Sequence, residues 1–248
     1  MNALILAAGR ASRLGLPKAL LPAGPGRVLL SGVLEAALDR VEGRVGVVTG
    51  RAHAALGYVV EAEARSADAA RVRLLYNPDY AQGLSTSLQR GVEGLGETEP
   101  MLVLLADQPL LEASRVRALV EAYPAPGVWA VSATENSQPK PPVVLGPELL
   151  RRVGSLEGDQ GAKPLLVRYA ERVRGLEWGS GPWFTDVDTW ETYRALARLQ
   201  GWDKERFEPL SALSSKEDLE VHLDTIPEPR TYLEALRRGV LTLLSRGS

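Results

Sequence analysis

The stretch LAAGRASRLGLPK, residues 6–18, places Gly9, Arg13, Gly15 and Lys18 directly after a short apolar run. Glycines let a backbone come close to an anion, exposed N–H groups bind its oxygens, and cations at the far end neutralise it. A triphosphate is the ligand this chemistry fits. The stretch is not a P-loop, because Pro17 precedes Lys18 and Ala19 follows it, and it holds no Gly-x-Gly-x-x-Gly dinucleotide fingerprint. Gly-bearing turns are also common surface connections, so spacing alone leaves an ordinary flexible loop open as the other reading.

Acidic residues complement that loop. Asp107 ends the uninterrupted apolar run of residues 101–106, and Asp186 and Asp188 stand in the segment TDVDT. Magnesium takes one or two carboxylates and completes its shell with substrate phosphates and water, so Asp107 with Asp186 or Asp188 would make a metal position. Aspartate before a helix is equally a common N-cap, which leaves capping of a helix beginning near Thr189 open for the pair. Composition removes several other chemistries. The chain has no cysteine, hence no disulfide, thiolate metal site or thiol nucleophile. Its two histidines, His53 and His222, fall in motif-poor helical stretches and read as structural or surface residues.

The elements that must position these groups follow from periodicity. Residues 2–6, 44–49, 72–76 and 101–106 read as short buried strands, and each is followed by a helical pattern. Leu30, Val33, Leu34, Ala37, Leu38 and Val41 share one helical face, with Ser31 as a candidate N-cap. A polar, alanine-rich helix is expected within residues 52–70. Leu84, Leu88, Val92 and Leu95 mark the next helix, and Val116, Leu119, Val120 and Tyr123 another. Beyond them, residues 128–133 and 142–145 look like strands separated by a polar loop, 134–141. This alternation predicts one α/β domain over residues 1–200, an open, doubly wound, mostly parallel but mixed sheet. Its ligand crevice lies outside the carboxyl ends of the strands, where Ala7 and Asp107 would sit. From about residue 201 the composition turns charged, and residues 201–248 read as a partly helical C-terminal extension carrying Leu233, Leu236, Val240, Leu243 and Leu244 on one stripe.

With these pieces in place, LAAGRASRLGLPK resembles the LAAG-x-S-x-R-M-G-x-x-K signature of the molybdenum cofactor cytidylyltransferases and their relatives in the MobA-like NTP transferase family. YNPDYAQGLSTSLQRG (76–91), LLADQP (104–109), EGDQGAKPLL (157–166) and TDVDT (185–189) are similar to that family's later motifs, in the same order. The resemblance implies a Rossmann-like nucleotidyltransferase fold in which Leu6, Ala7, Ala8 and Gly9 run along the nucleotide. It implies that Arg13 and Lys18 neutralise the phosphates, that Asp107 joins them in catalysis, and that Asp107 with Asp186 or Asp188 holds Mg2+. Asn77, Gly83, Ser85 and Ser87 match the segment over base and sugar, although Ser87 also suits a solvated helix position. Gly158, Asp159 and Gly161 match the acceptor-side loop, with Lys163 where the family often has arginine. The sequence departs from the pattern at Ala11, where the usual serine is displaced to Ser12, at Leu14 in place of methionine, and at Lys140-Pro141-Pro142 in place of Gly-His-Pro.

The activity implied is Mg-dependent transfer of a nucleoside monophosphate, CMP from CTP, onto the phosphate of a molybdopterin-type cofactor with release of pyrophosphate. Ala8, where guanylyl relatives commonly show glycine, leans toward cytidine. Another small phosphorylated acceptor, such as a sugar or alcohol phosphate, is the first alternative. A nucleotide-binding cofactor-insertion chaperone, docking a molybdoenzyme through its tail helix, is the second. The 29 basic and 31 acidic residues leave a net charge of −2, so no global field attracts nucleic acid or an anionic membrane, and an anionic ligand must be held locally. No apolar run is long enough to span a bilayer, and MNALILAAGR lacks the basic n-region and cleavage site of a signal peptide, which together predict a cytoplasmic protein.

Overall fold

The computed structural model describes residues 1–9, 13–64, 68–204 and 215–245. Among these residues seven strands form one sheet: β1 (Asn2–Ala7), β2 (Val45–Thr49), β3 (Val72–Tyr76), β4 (Met101–Leu105), β5 (Ala130–Glu135), β6 (Gln138–Leu145) and β7 (Val173–Glu177), in the order β3-β2-β1-β4-β6-β5-β7. β1 pairs in parallel with both β2 and β4, whereas β6 runs antiparallel to β4 and β5. The sheet is therefore open, mixed and doubly wound. Its winding reverses between β1 and β4, which puts a ligand crevice at the ends of those two strands.

Helices cover both faces: α1 (Leu29–Arg40), α2 (His53–Glu63), α3 (Leu84–Leu95), α4 (Ala113–Ala122), α5 (Pro147–Leu150), α6 (Lys163–Arg168), α7 (Trp190–Gln200), α8 (Lys216–Asp224) and α9 (Pro229–Ser245). Because strand side chains alternate between faces, β1 feeds two cores. Ala3 and Ile5 join Leu34, Leu56, Leu119, Tyr193 and Val240 on one side, while Leu4 and Leu6 join Leu88, Val92, Leu149 and Leu165 on the other. Burial on both faces is why β1, β2 and β4 read as continuous apolar runs.

Several expectations need correction. The loop expected over 134–141 is instead a tight hairpin: Asn136 and Ser137 take φ values of 52° and 62°, as a type I′ turn requires, and β5 and β6 extend to Glu135 and from Gln138. Ser31 does not cap α1. Val28 occupies that position, and Ser31 sits three residues on, where its Oγ accepts from the Val28 N–H at 2.9 Å. The helix expected within 52–70 is α2, ending at Glu63; residues 65–67 lie outside the described residues. β7 was not anticipated.

The tail stripe packs inward. Leu236, Val240, Leu243 and Leu244 of α9 are buried in the same core as Leu56, Val59 and Val60 of α2. Arg237 also donates to the backbone carbonyls of Gly24 and, at 3.0 Å, Arg27. Among the described residues no helix is long and apolar enough to cross a membrane.

Candidate active site

The carboxyl ends of β1 and β4 lie side by side: the Ala106 N–H donates to the Leu6 carbonyl at 3.1 Å, and Asp107 follows immediately. The TDVDT segment is docked onto that edge by its backbone, since the Val187 N–H donates to the Asp107 carbonyl at 3.0 Å and the Val187 side chain is fully buried. Anchoring Val187 this way brings Asp186 and Asp188 beside Asp107. Neither caps α7. The N-cap is Thr189, whose Oγ1 accepts from the Thr192 N–H at 3.2 Å, so the aspartates are left for other work.

Lys18 reaches across this edge. Its ammonium donates to Asp107 Oδ2 at 3.0 Å and to Asp188 Oδ1, and Arg13 Nη2 approaches Asp188 Oδ2 at 3.0 Å. The Lys18, Asp107 and Asp188 side chains are 17%, 23% and 37% exposed, while Arg13 is 70% exposed and remains on the rim. Burial would lower the Lys18 pKa, but the Asp107 charge and the hydrogen bonds to both aspartates outweigh it and hold the ammonium above its ordinary value. The Lys18 hydrogen bond depresses Asp188 despite partial burial, with further help from the Lys18 and Arg13 charges. Asp186 behaves oppositely. The residue as a whole is exposed, yet its carboxyl is desolvated enough, and close enough to Asp107 and Asp188, for its pKa to rise. The opposing influence is Gln108, whose Nε2 donates to Asp186 Oδ1 at 3.0 Å.

Two adjoining cavities open here. One of about 350 Å³ is lined by Leu6, Ala7, Gly9, Lys18, Asp107 and Asp188, with Asp186, Asp159 and Arg51 also on its wall. The second, about 270 Å³, is bounded by Ala8, Gly9, Arg13, Lys18, Gly83, Ser87, Asp159 and Asp188. The two share Gly9, Lys18, Leu84, Asp159 and Asp188. Gly83 and the 158–161 turn meet at their junction. A Cβ on Gly83 would come 2.5 Å from the Gly158 carbonyl, and its φ of 127° also requires glycine. Asp159 Oδ1 accepts from the Leu84 N–H at 3.3 Å, which ties the two loops together.

Other expected site residues lie within α3 or off the two cavity walls. Asn77 is buried, and its Nδ2 donates to Thr86 Oγ1 and Ser87 Oγ, each at 3.0 Å, so it fastens the end of β3 to α3. Ser85, in the first turn of α3, is fully buried, and among the described residues its hydroxyl has no hydrogen-bond partner. Gly158, Gly161 and Lys163 form no part of either cavity wall, and Lys163 is exposed at the start of α6. Ala11 and Ser12 lie outside the described residues. Two residues were missed by sequence reasoning, Gln108 and Arg51. Gln108 stands in the LLADQP motif, and Arg51 follows β2 at the carboxyl edge, the one positional signal that pointed to it.

Asp107 and Asp188 converge on a single cationic point, filled by the Lys18 ammonium, and two carboxylates around one point match the share of a magnesium shell that protein usually supplies. Among the described residues no group of three or more acidic or imidazole side chains is placed to hold a metal alone, so substrate phosphate and water would have to complete the shell.

A doubly wound sheet with a glycine- and cation-bearing loop facing paired aspartates at its switch point defines a phosphate-handling, nucleotide-binding protein of the α/β class. Residues 3–173 match the MobA-like NTP transferase domain, and the chain belongs to that family of nucleotidyltransferases. The purine catabolism protein PucB of Bacillus subtilis is 32% identical over 203 residues, covering 79% of this chain and 95% of PucB. Nicotine blue oxidoreductase of Paenarthrobacter nicotinovorans is 30% identical over 204 residues, 79% of this chain and 96% of that protein. Molybdenum cofactor cytidylyltransferase of Escherichia coli is 33% identical over 112 residues, 45% of this chain and 53% of the enzyme. Among solved structures, a nucleotidyl transferase from Methanothermobacter superposes with a TM-score of 0.63 at 25% identity, covering 80% of this chain and 96% of that one.

Proposed function

We propose that this protein transfers CMP from CTP to the phosphate of a molybdopterin-type cofactor and releases pyrophosphate, with residues 1–200 as the catalytic domain, residues 201–248 as an appended segment and the cytoplasm as its location. The observation that carries the reading is the convergence of Lys18, Asp107 and Asp188 at the β1/β4 switch point, where Lys18 and Asp188 line both cavities and Asp107 the larger one. An acceptor phosphate oxygen forms a bond to the α-phosphorus while the bond from that phosphorus to the bridging oxygen breaks, and pyrophosphate leaves with the electron pair. A phosphate monoester is already anionic near neutral pH, so no histidine is needed as a base, and catalysis rests on positioning and charge. Asp107 and Asp188 would hold Mg2+, which when bound polarises the reacting phosphoryl group. Asp188 suits this role better than Asp186, which Gln108 engages and whose charged form is disfavoured. Lys18 and Arg13 stabilise the charge growing on the leaving pyrophosphate. The backbone of residues 6–9 runs along the nucleotide, Gly83 and Ser87 bound its far side, and the turn carrying Asp159 faces the acceptor.

The Escherichia coli cytidylyltransferase supports this substrate pair, over about half of its own length. The test is pyrophosphate release by purified protein with Mg2+ and molybdopterin-type cofactor, offered CTP, GTP, ATP and UTP in parallel. Release with CTP alone supports the full reading; release with CTP only when a sugar or alcohol phosphate replaces the cofactor moves the acceptor. The oxidoreductase relative favours a second reading, redox catalysis in the same crevice. Consumption of a reduced nicotinamide cofactor with no pyrophosphate release would favour it. A molybdoenzyme docking on the tail would have to use a face of α9 other than Leu236, Val240, Leu243 and Leu244, which the chain's own core covers.

A further inference from the structure

The α8–α9 extension reaches the wall of the site. Arg51, on the turn between β2 and α2, lines the larger cavity together with Lys18 and Asp107. It also borders a smaller cavity of about 220 Å³ between α2 and the extension, walled by Leu223, Asp224, Ile226, Pro227, Pro229 and Tyr232. The Arg51 guanidinium thus stands on the partition between catalytic crevice and tail. Among the described residues its ion-pair partner is Asp224 at the end of α8, which receives Nη2 at 3.0 Å. A second contact from α8 falls on the phosphate-binding loop. A Cβ on Gly15 would lie 1.7 Å from Glu220 Oε1, and Gly15 has φ of 79°.

The charge balance of the crevice gives this arrangement a purpose. Asp107, Asp159, Asp186 and Asp188 are on the larger cavity's wall, with Lys18 and Arg51 as its cations. Lys18 is already shared by two carboxylates, whereas the carboxylate of Arg51 lies outside that cavity. Arg51 and Asp224 are 58% and 66% exposed, so their pair is weak in water, and among the described residues the guanidinium is engaged through Nη2 alone. A planar guanidinium held by one edge keeps its other donors for a two-point contact with phosphate oxygens.

We propose that Arg51 binds a phosphoryl group of the substrates and that Asp224 is its positioning residue, so that the C-terminal extension completes the substrate site. The inference rests on the nucleotidyltransferase reading for the identity of the anion. The shared chemistry is a phosphoryl dianion, borne by either the triphosphate or the acceptor. Steady-state kinetics varying each substrate separately distinguish the two sources. Arg51→Ala raises KM for the substrate whose phosphoryl group it meets by about tenfold, as expected for loss of a charge-assisted hydrogen bond, with kcat changed far less. Arg51→Lys recovers part of the loss. Asp224→Ala raises the same KM by a smaller factor, and in the Arg51→Ala background it adds nothing, because the two act as one unit. Titration of each variant with inorganic pyrophosphate is read in parallel by calorimetry. It supplies a binding measurement that needs no turnover. If the wild type turns over nucleotide but both KM values and pyrophosphate affinity survive Arg51→Ala, the inference falls while the transferase reading stands. If no nucleotide is turned over but pyrophosphate affinity falls in the variant, the transferase reading fails and the anion site remains. Additive effects of Arg51→Ala and Asp224→Ala would overturn the positioning role.

Discussion

Lys18→Ala tests the electrostatics of the site apart from catalysis. The ammonium is the cation common to Asp107 and Asp188, and its removal leaves two partly buried carboxylates facing each other. Breaking a fully buried pair costs roughly 3–5 kcal/mol and an exposed one about 0–1 kcal/mol. With side chains 17%, 23% and 37% exposed, the cost falls between these limits, at about 2 kcal/mol. For a chain of this size that is a Tm lower by about 4–8 °C in a chelator-treated sample. The Lys18 pKa is raised in the fold, so its contribution is fully present below the unfolded value of about 10.4 and is lost only as pH rises through the folded value. A neutral-pH melt therefore reads all of it. Added MgCl2 should then restore more of the Tm in the variant than it adds to the wild type, because a divalent ion no longer competes with an ammonium for the same two carboxylates. The assay is differential scanning calorimetry with and without MgCl2. An unchanged Tm, with identical magnesium responses in the two proteins, would refute the placement of Lys18 between the aspartates.

Three other outcomes follow from the same geometry. Asp107→Ala should abolish turnover while circular dichroism and chromatographic behaviour stay those of the wild type; near-normal activity would remove the metal assignment. Leu236→Ala, at a fully buried position of α9, should cost about 2–5 kcal/mol in urea unfolding, and a change below about 0.5 kcal/mol, typical of surface sites, would mean the helix does not share the core. Glu177 accepts N–H bonds from Ser137, Asn136 and Gly179 and the Thr134 hydroxyl. Led by the Ser137 bond and opposed by slight desolvation, these hold its pKa below the usual value. Its contribution is present above the unfolded pKa of about 4.3 and is lost as pH falls through the folded one. Glu177→Gln should therefore flatten the acid side of the stability curve, and an unaltered pH profile would count against this anchoring of the β5–β6 hairpin.

The sequence was most legible where burial is complete. β1, β2 and β4 differ from the expected bounds by one residue at an end, because strands covered on both faces leave no ambiguity of pattern, whereas β3, an edge strand in which only Leu75 is buried, has the expected bounds because Asn77 and Pro78 stop it. The sheet's far side was harder. β7 is an edge strand of mostly exposed or half-buried residues with Gly175 in its middle, so alternation and propensity both fade there. The hairpin at Asn136 and Ser137 lacks the glycine that usually advertises a type I′ turn. Within the site, the motif positions Gly9, Lys18, Asp107 and Asp188 do meet, since each follows or faces a strand end. Asn77 belongs to a motif yet spends its side chain on α3, and no spacing rule separates a ligand contact from a buried brace. Arg51 carries no motif, and its significance depends on Asp224, 173 positions away.

The central claim is that the reaction occurs at the α-phosphorus. CTP labelled at that atom, incubated with the protein, Mg2+ and molybdopterin-type cofactor, should deliver the label to the acceptor, with none in the released pyrophosphate. Label remaining in CTP or appearing in CDP, with the acceptor unlabelled, would contradict the account.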